Sequence, residues 1–356
     1  MSDTDVMIRV ERPGLVVRTP RGGLSVLLRP RSVLVAAALL LAILAVGLAA
    51  LTIGDFPIPI ADVFRTLVGE GRPGDDFVIN ELRLPRLLTG LLVGAALGIS
   101  GSIFQSLTRN PLGSPDLVGL TIGAVSGALI VILVFGGDAH QVSVGAIVGC
   151  LITSVVVYLL AYRNGVQGFR LVLIGIGISA MLEAVNAYLI TRSTLQQARA
   201  AQTWLIGSLN ARDWDDVVRV AVALAVLVPL VVRYARRLPV MELGDDAATA
   251  VGVPVERTRL VLILISVALC AVAAASAGPV VFVALAAPQL AARLTGGGRP
   301  GPIGAGLMGA LLLAVSDLAA QRVFAPVQLP VGVATSAIGG LYLAWLIGRE
   351  WRRGGV

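Results

Sequence analysis

Apolar runs of spanning length recur along almost the whole chain, separated by short polar segments rich in arginine, glycine and proline. About twenty apolar residues wound as a helix cross the roughly 30 Å hydrocarbon core of a bilayer, where every backbone polar group must find its partner internally. The pattern predicts an all-α polytopic membrane protein. The runs fall at about 32–53, 83–107, 116–135, 142–162, 171–190, 214–234, 260–275, 280–294, 303–324 and 331–347, which makes about ten transmembrane helices and places both termini on one side. A chain of 356 residues, 56% hydrophobic and 14% charged, has little room for a further soluble domain once these are drawn. It divides into a tail at 1–31, a membrane domain at 32–349 and a second tail at 350–356.

The basic residues set orientation. All 28 are arginine, and the two tails, the loops on their side and the stretch 233–259 hold 19 of them against nine on the other side. That bias puts both termini in the cytoplasm. The formal charge of +7 is explained by loops beside anionic lipid rather than by nucleic acid. Without a lysine the chain lacks a P-loop, so it cannot be the ATPase of any pump it serves. Cys150 and Cys270 lie in separate apolar runs and read as small buried hydrophobes, and the single histidine, His140, reads as a solvated loop residue. No nucleophile elbow, paired histidines or metal-ligand cluster is present in the sequence, which argues against an enzyme and against a cofactor bound by this chain.

Glycines mark the helix contacts. Gly90, Gly94 and Gly98, and again Gly119, Gly123 and Gly127, recur every fourth residue and give smooth faces for close packing. The 55–82 segment reads as an outer loop, residues 204–209 as a short interfacial helix, and 108–115 as a cytoplasmic turn broken by Pro111, Gly113 and Pro115.

The longest charged stretch between spans is 233–259, with a cytoplasmic loop at 235–257. Asp245 and Asp246 suit the first turn of a short helix, alanines give it a slim surface, and Gly252-Val253-Pro254 stops it. An ordinary linker and a docking helix for a soluble partner are equally open on these residues alone.

Six motifs in order narrow the choice: Arg83-Leu84-Pro85-Arg86-Leu87-Leu88, Gly94-Ala95-Ala96-Leu97, Gln105 through Leu112, Leu243 through Ala248, Ala277-Gly278-Pro279 and Leu329-Pro330-Val331-Gly332. Together they resemble the FecCD family of ABC importer permeases, ten-helix subunits that import iron-siderophore complexes, haem and vitamin B12. The resemblance covers Ser32 to Ile347, and the stretches 110–116, 163–165 and 175–177 are most similar to the ferric-enterobactin type that pairs with a related permease.

The resemblance implies a type II ABC importer permease fold and a role for each matched position. Gly244, Asp245, Asp246, Ala247, Ala248 and Gly252 would form the ATPase-coupling loop, with Asp246 where that loop more often has Glu. Arg83, Arg86 and, one residue out of register, Arg322 would dock an extracytoplasmic siderophore-binding protein. Asn110, Pro111 and Leu112 would form the cytoplasmic gate, with 163–168 as a second gate loop. The implied partners are ABC ATPase subunits that bind ATP and magnesium, an identical or related permease, a ferric siderophore and membrane lipid.

Gln289 departs from the pattern, since many relatives have histidine after the Ala-Ala-Pro triplet that precedes it. Glu183 and Asp317 are acids inside spans, where structural pairing is preferred over lining the path. The competing readings are an ion-gradient-driven secondary transporter and an importer permease for haem or vitamin B12.

Overall fold

The computed structural model describes residues 15–18, 25–28, 30–116, 118–163, 168–296, 301–325 and 327–352. Two short strands, β1 (Leu15–Arg18) and β2 (Ser25–Leu28), pair antiparallel with Leu15 opposite Leu28, an element that the tail's sequence did not signal. The rest is helical. In order come α1 (Pro30–Thr52), α2 (Ile60–Leu67), α3 (Pro73–Asp76), a π-helical turn at Phe77–Arg83, α4 (Leu84–Thr108), α5 (Leu120–Ile130) with a π-helical end at Val131–Phe135, α6 (Ala139–Ala161) and α7 (Gly168–Arg192). Then follow α8 (Leu195–Leu205), α9 (Trp214–Ala235), α10 (Leu238–Glu242), α11 (Asp245–Ala250), α12 (Val255–Ala277), α13 (Val283–Thr295), α14 (Pro302–Arg322) and α15 (Val331–Arg352).

Among the described residues seven helices are long and apolar enough to cross a bilayer, and the shorter apolar helices Leu120–Phe135 and Val331–Trp345, with α13, bring the architecture to the expected ten. Three expectations need correction. The 55–82 segment is not an open loop: α2, α3 and the π turn run through it, and the helix is continuous from Pro73 to Thr108. Pro73 at the first position with Asp75 and Asp76 in the first turn starts that helix. Pro85, which lacks an N–H, falls just after the π turn, where the hydrogen-bond ladder changes register.

The short outer helix is Leu195–Leu205, not 204–209. Thr194 and Gln197 open it as a reciprocal capping box, and Gly207, with φ of 72°, carries the chain into a turn that lies against α12 and α15. There Ser208 N–H donates to Ala277 O (2.8 Å) and Gly332 N–H donates to Gly207 O (3.2 Å). The third span begins at Leu120 rather than Asp116, because Gly119 at φ 84° caps it in a left-handed conformation and packs on Gly175 and Ser179 of α7 rather than on α6.

α4 is the centre of the bundle, buried from Val93 to Ser106 at nearly every position. Its glycines do what their spacing predicts. A Cβ on Gly94 would overlap Gly309 O of α14, one on Gly98 would overlap Ala305 O, and one on Gly101 would overlap Ala284 O of α13. The second stripe works alike, with Gly123 and Gly127 against Gly145 and Gly149 of α6. Ser100 and Ser266 exchange hydrogen bonds between α4 and α12, each hydroxyl donating to the other residue's carbonyl at 2.9 and 3.0 Å. Hydroxyls paired this way satisfy the polar groups that close packing would otherwise strand. The outer rank of helices turns Leu41, Leu44, Leu159 and Leu160 outward, as a lipid-facing surface requires.

Candidate functional site

The inner face carries the predicted coupling segment as two short helices. Gly244, at φ 129°, separates α10 from α11, and Gly252, at φ 82°, ends the segment before Pro254 and α12. No side-chain cap bond forms at Gly244, and Asp245, half-exposed in the first turn, serves as an ion-pair partner. Ala248 is turned inward, fully buried with Met241 and Val255 beside Leu107 of α4. The exposed surface of the segment comprises Asp245, Asp246, Ala247, Thr249 and Ala250, flanked by Leu243 and Val251 at 78% and 69% exposure. Sequence reasoning missed those two apolar side chains, although their position around the alanines at helical spacing was the available signal.

Asp245 joins three elements. Its Oδ1 accepts from Arg109 Nη2 (2.6 Å) at the end of α4, and its Oδ2 accepts from Arg259 Nη2 (2.7 Å) on α12. Arg259 is largely buried and also donates to Glu256 (2.5 Å). Arg109 donates from the same Nη2 to Met241 O (2.8 Å).

The gate turn follows directly. Asn110 Oδ1 accepts from Leu112 N–H (2.9 Å), which closes an Asx turn, and Pro111 O accepts from Gln289 Nε2 on α13 (2.5 Å). Gln289 Oε1 in turn accepts from Tyr342 O–H of α15 (3.2 Å). The departure noted in the sequence therefore bridges the gate turn to the last span. Leu112 is exposed. Gly168, at the start of α7, packs against Thr108 so closely that a Cβ would meet its backbone, while 164–167 of the second gate loop lie outside the described residues.

The three outer arginines form a rim but are not equivalent. Arg83 donates to Leu51 O (2.6 Å) and Phe56 O (2.5 Å), lying over Gly54 where a side chain would displace it. Arg322 donates to the exposed Asp55 (3.1 Å) and shares its field with Arg83. Arg86 is paired within the bundle: it grips Asp317 with two parallel hydrogen bonds (2.9 and 2.8 Å), and Gln321 adds a third (2.8 Å). Its side chain is only 15% exposed. Asp317 is thus paired within the bundle.

Glu183 is not paired in this way. It lines an open cavity of about 630 Å³ with Asn186, Thr121, Ser336 and otherwise largely apolar residues of α5, α7 and α15. Asn186 Oδ1 is buried there without a hydrogen-bond partner.

Spanning helices packed around α4, with an open cavity on one side and a compact helical segment between two spans, define a multi-pass membrane subunit. Residues 39–349 match the FecCD transport family, and the chain belongs to that family. It is a multi-pass permease, similar to the ferric enterobactin transport system permease protein FepG of Escherichia coli (strain K12), with 45% identity over 86% of this chain and 93% of the relative. The achromobactin transport system permease protein CbrC of Dickeya dadantii (strain 3937) is 37% identical over 86% of this chain and 89% of its own length. Among solved structures, an inward-facing conformation of a metal-chelate type ABC transporter superposes with a TM-score of 0.79 at 26% identity, covering 88% of this chain and 99% of that one.

Proposed function

We propose that this chain is a membrane subunit of an ATP-driven importer for a ferric siderophore, moving its cargo by alternating access. The observation that carries the reading is 45% identity to a ferric enterobactin permease over 86% of this chain, alongside a family match over 39–349 that spans the gate turn, the coupling segment and the outer rim together. Two such permease subunits, identical or related, would enclose the path, with ATPase subunits inside and a siderophore-binding protein outside. ATP and magnesium belong to the ATPase partners, and no chemical step takes place in this chain.

The segment 243–252 fits an ATPase groove through Leu243, Ala247 and Val251 around Asp246. A deletion strain complemented with this chain should accumulate radiolabelled ferric catecholate, and a Gly252→Val chain should insert normally but fail to support uptake. At φ 82° a β-branched residue is strained even though the space around Gly252 is open. Uptake of a hydroxamate or haem cargo alone would reassign the substrate, and normal uptake by the Gly252 variant would remove the coupling role.

Docking of the binding protein falls to Arg83 and Arg322, with Arg86 holding Asp317 beneath them. A carboxylate on the incoming protein replaces Asp55, which is 73% exposed and held by Arg322 (3.1 Å) and Gln328 (3.4 Å). Reversing the charge with Arg322→Glu should weaken docking about three- to tenfold at low ionic strength, with the difference shrinking as salt screens it. Titration of the binding protein onto the permease in nanodiscs measures this, and salt-independent or unchanged affinity would count against the rim.

A further inference from the structure

The coupling segment and the gate turn lie side by side, and the polar contact that joins them is the reach of Arg109 to Asp245 and Met241 O. We propose that Arg109 is the positioning residue that carries displacement of the ATPase-docking helix α11 into the gate turn, acting through Asp245. The proposal rests on the importer reading above.

Arg109 occupies a left-handed conformation with φ of 51°, unfavourable for a residue with a Cβ. It caps α4 there, and its side chain reaches across to α10 and α11 while the main chain passes directly into Asn110 and Pro111. The carboxylate it meets is anchored from behind, because Arg259 is 10% exposed and is itself fixed by Glu256. Asp245 therefore moves with the coupling segment and the start of α12. Arg109, 44% exposed, is the arm that can make and break.

The opposite end of the turn is held elsewhere. Pro111 O is tied to Gln289 of α13, which is tied to Tyr342 of α15. A shift of α11 relative to α13 must then be absorbed between Arg109 and Pro111, directly before the exposed Leu112. Leu107 packs on the cluster of Met241, Ala248 and Val255 and keeps the two elements in contact. Apolar contact tolerates sliding, whereas a charge-assisted hydrogen bond fixes direction.

The test uses the full complex of this chain, partner permease, ATPase and binding protein in proteoliposomes, with ATP hydrolysis and ferric-siderophore uptake read in the same vesicles. Arg109→Gln should lower cargo moved per ATP about tenfold, the loss expected for one charge-assisted hydrogen bond, with hydrolysis and assembly retained. Arg109→Lys should restore most of the coupling. Spin labels on a cysteine at Leu112 should report an ATP-dependent distance change in the parent and a diminished one in the Gln variant. Parental coupling in Arg109→Gln overturns the link alone, as does a parallel loss of uptake, hydrolysis and assembly that Lys fails to rescue. A parent complex with no ATP-dependent uptake overturns the importer reading and the link with it.

Discussion

Replacing Arg86 with alanine is expected to destabilise the folded protein by about 3–5 kcal/mol, the range seen when one partner of a buried ion pair is removed. The magnitude follows from what is left behind. Asp317 is 6% exposed, its two oxygens face Arg86, and Gln321 alone can satisfy only part of it. A carboxylate left largely buried without its cation keeps most of its desolvation cost. Thermal or denaturant unfolding in nanodiscs checks the size of the effect. The double variant Arg86→Leu/Asp317→Leu should recover most of the loss, because removing both charges also removes the desolvation burden. If Arg86→Ala unfolds like the parent while weakening binding-protein affinity, Arg86 is a docking residue and its pairing to Asp317 is incidental.

Gly98→Val should be at least as damaging, though by a different route. The missing Cβ lets α4 meet the backbone of α14 at Ala305 and Gly306, and Gly94 repeats the contact with Gly309 and Ala310 one turn away. A clash with a carbonyl oxygen cannot be relieved by a rotamer change, so the two helices must separate along the most buried seam in the bundle. Overpacking of an ordinary core costs about 1–3 kcal/mol, and backbone against backbone belongs at or above the upper end. Size-exclusion profiles and proteolysis of the variant report the separation. Gly177→Ala supplies the contrast: nothing lies within 4 Å of that position, and alanine inside α7 should be neutral or stabilising by up to about 1 kcal/mol. Equal tolerance at both positions would mean that glycine spacing does not set the seam.

Spanning helices were legible because a bilayer imposes a single length and composition on them, so the apolar runs predict α1, α6, α7 and α9 to within a few residues. The packing stripes Gly94/Gly98 and Gly123/Gly127 were legible for the same reason: only close approach of backbones makes glycine every fourth residue useful. The outer segment 55–82 was misread because proline, glycine and acids there are equally at home in a loop and at helix starts, and Pro73 with Asp75 and Asp76 is doing the latter. Asp245 is the first-turn acid its sequence position suggests, but it forms no cap bond, and only the fold brings Arg109, more than a hundred residues away in sequence, within 2.6 Å. Gln289 shows the same limit, since the carbonyl it serves belongs to a proline in the turn between two other helices.

The continuous helix that ends at Arg109 has its two ends in different aqueous compartments. Arg86 and Arg109 are about 35 Å apart at 1.5 Å per residue. A rod of that length packed along its middle moves as a unit, and a tilt of about 5° about the seam displaces each tip by about 1.5 Å, half the length of a hydrogen bond, in opposite directions. Outer rim and inner turn are in this sense opposite tips of one lever, and its fulcrum is the glycine seam against α14.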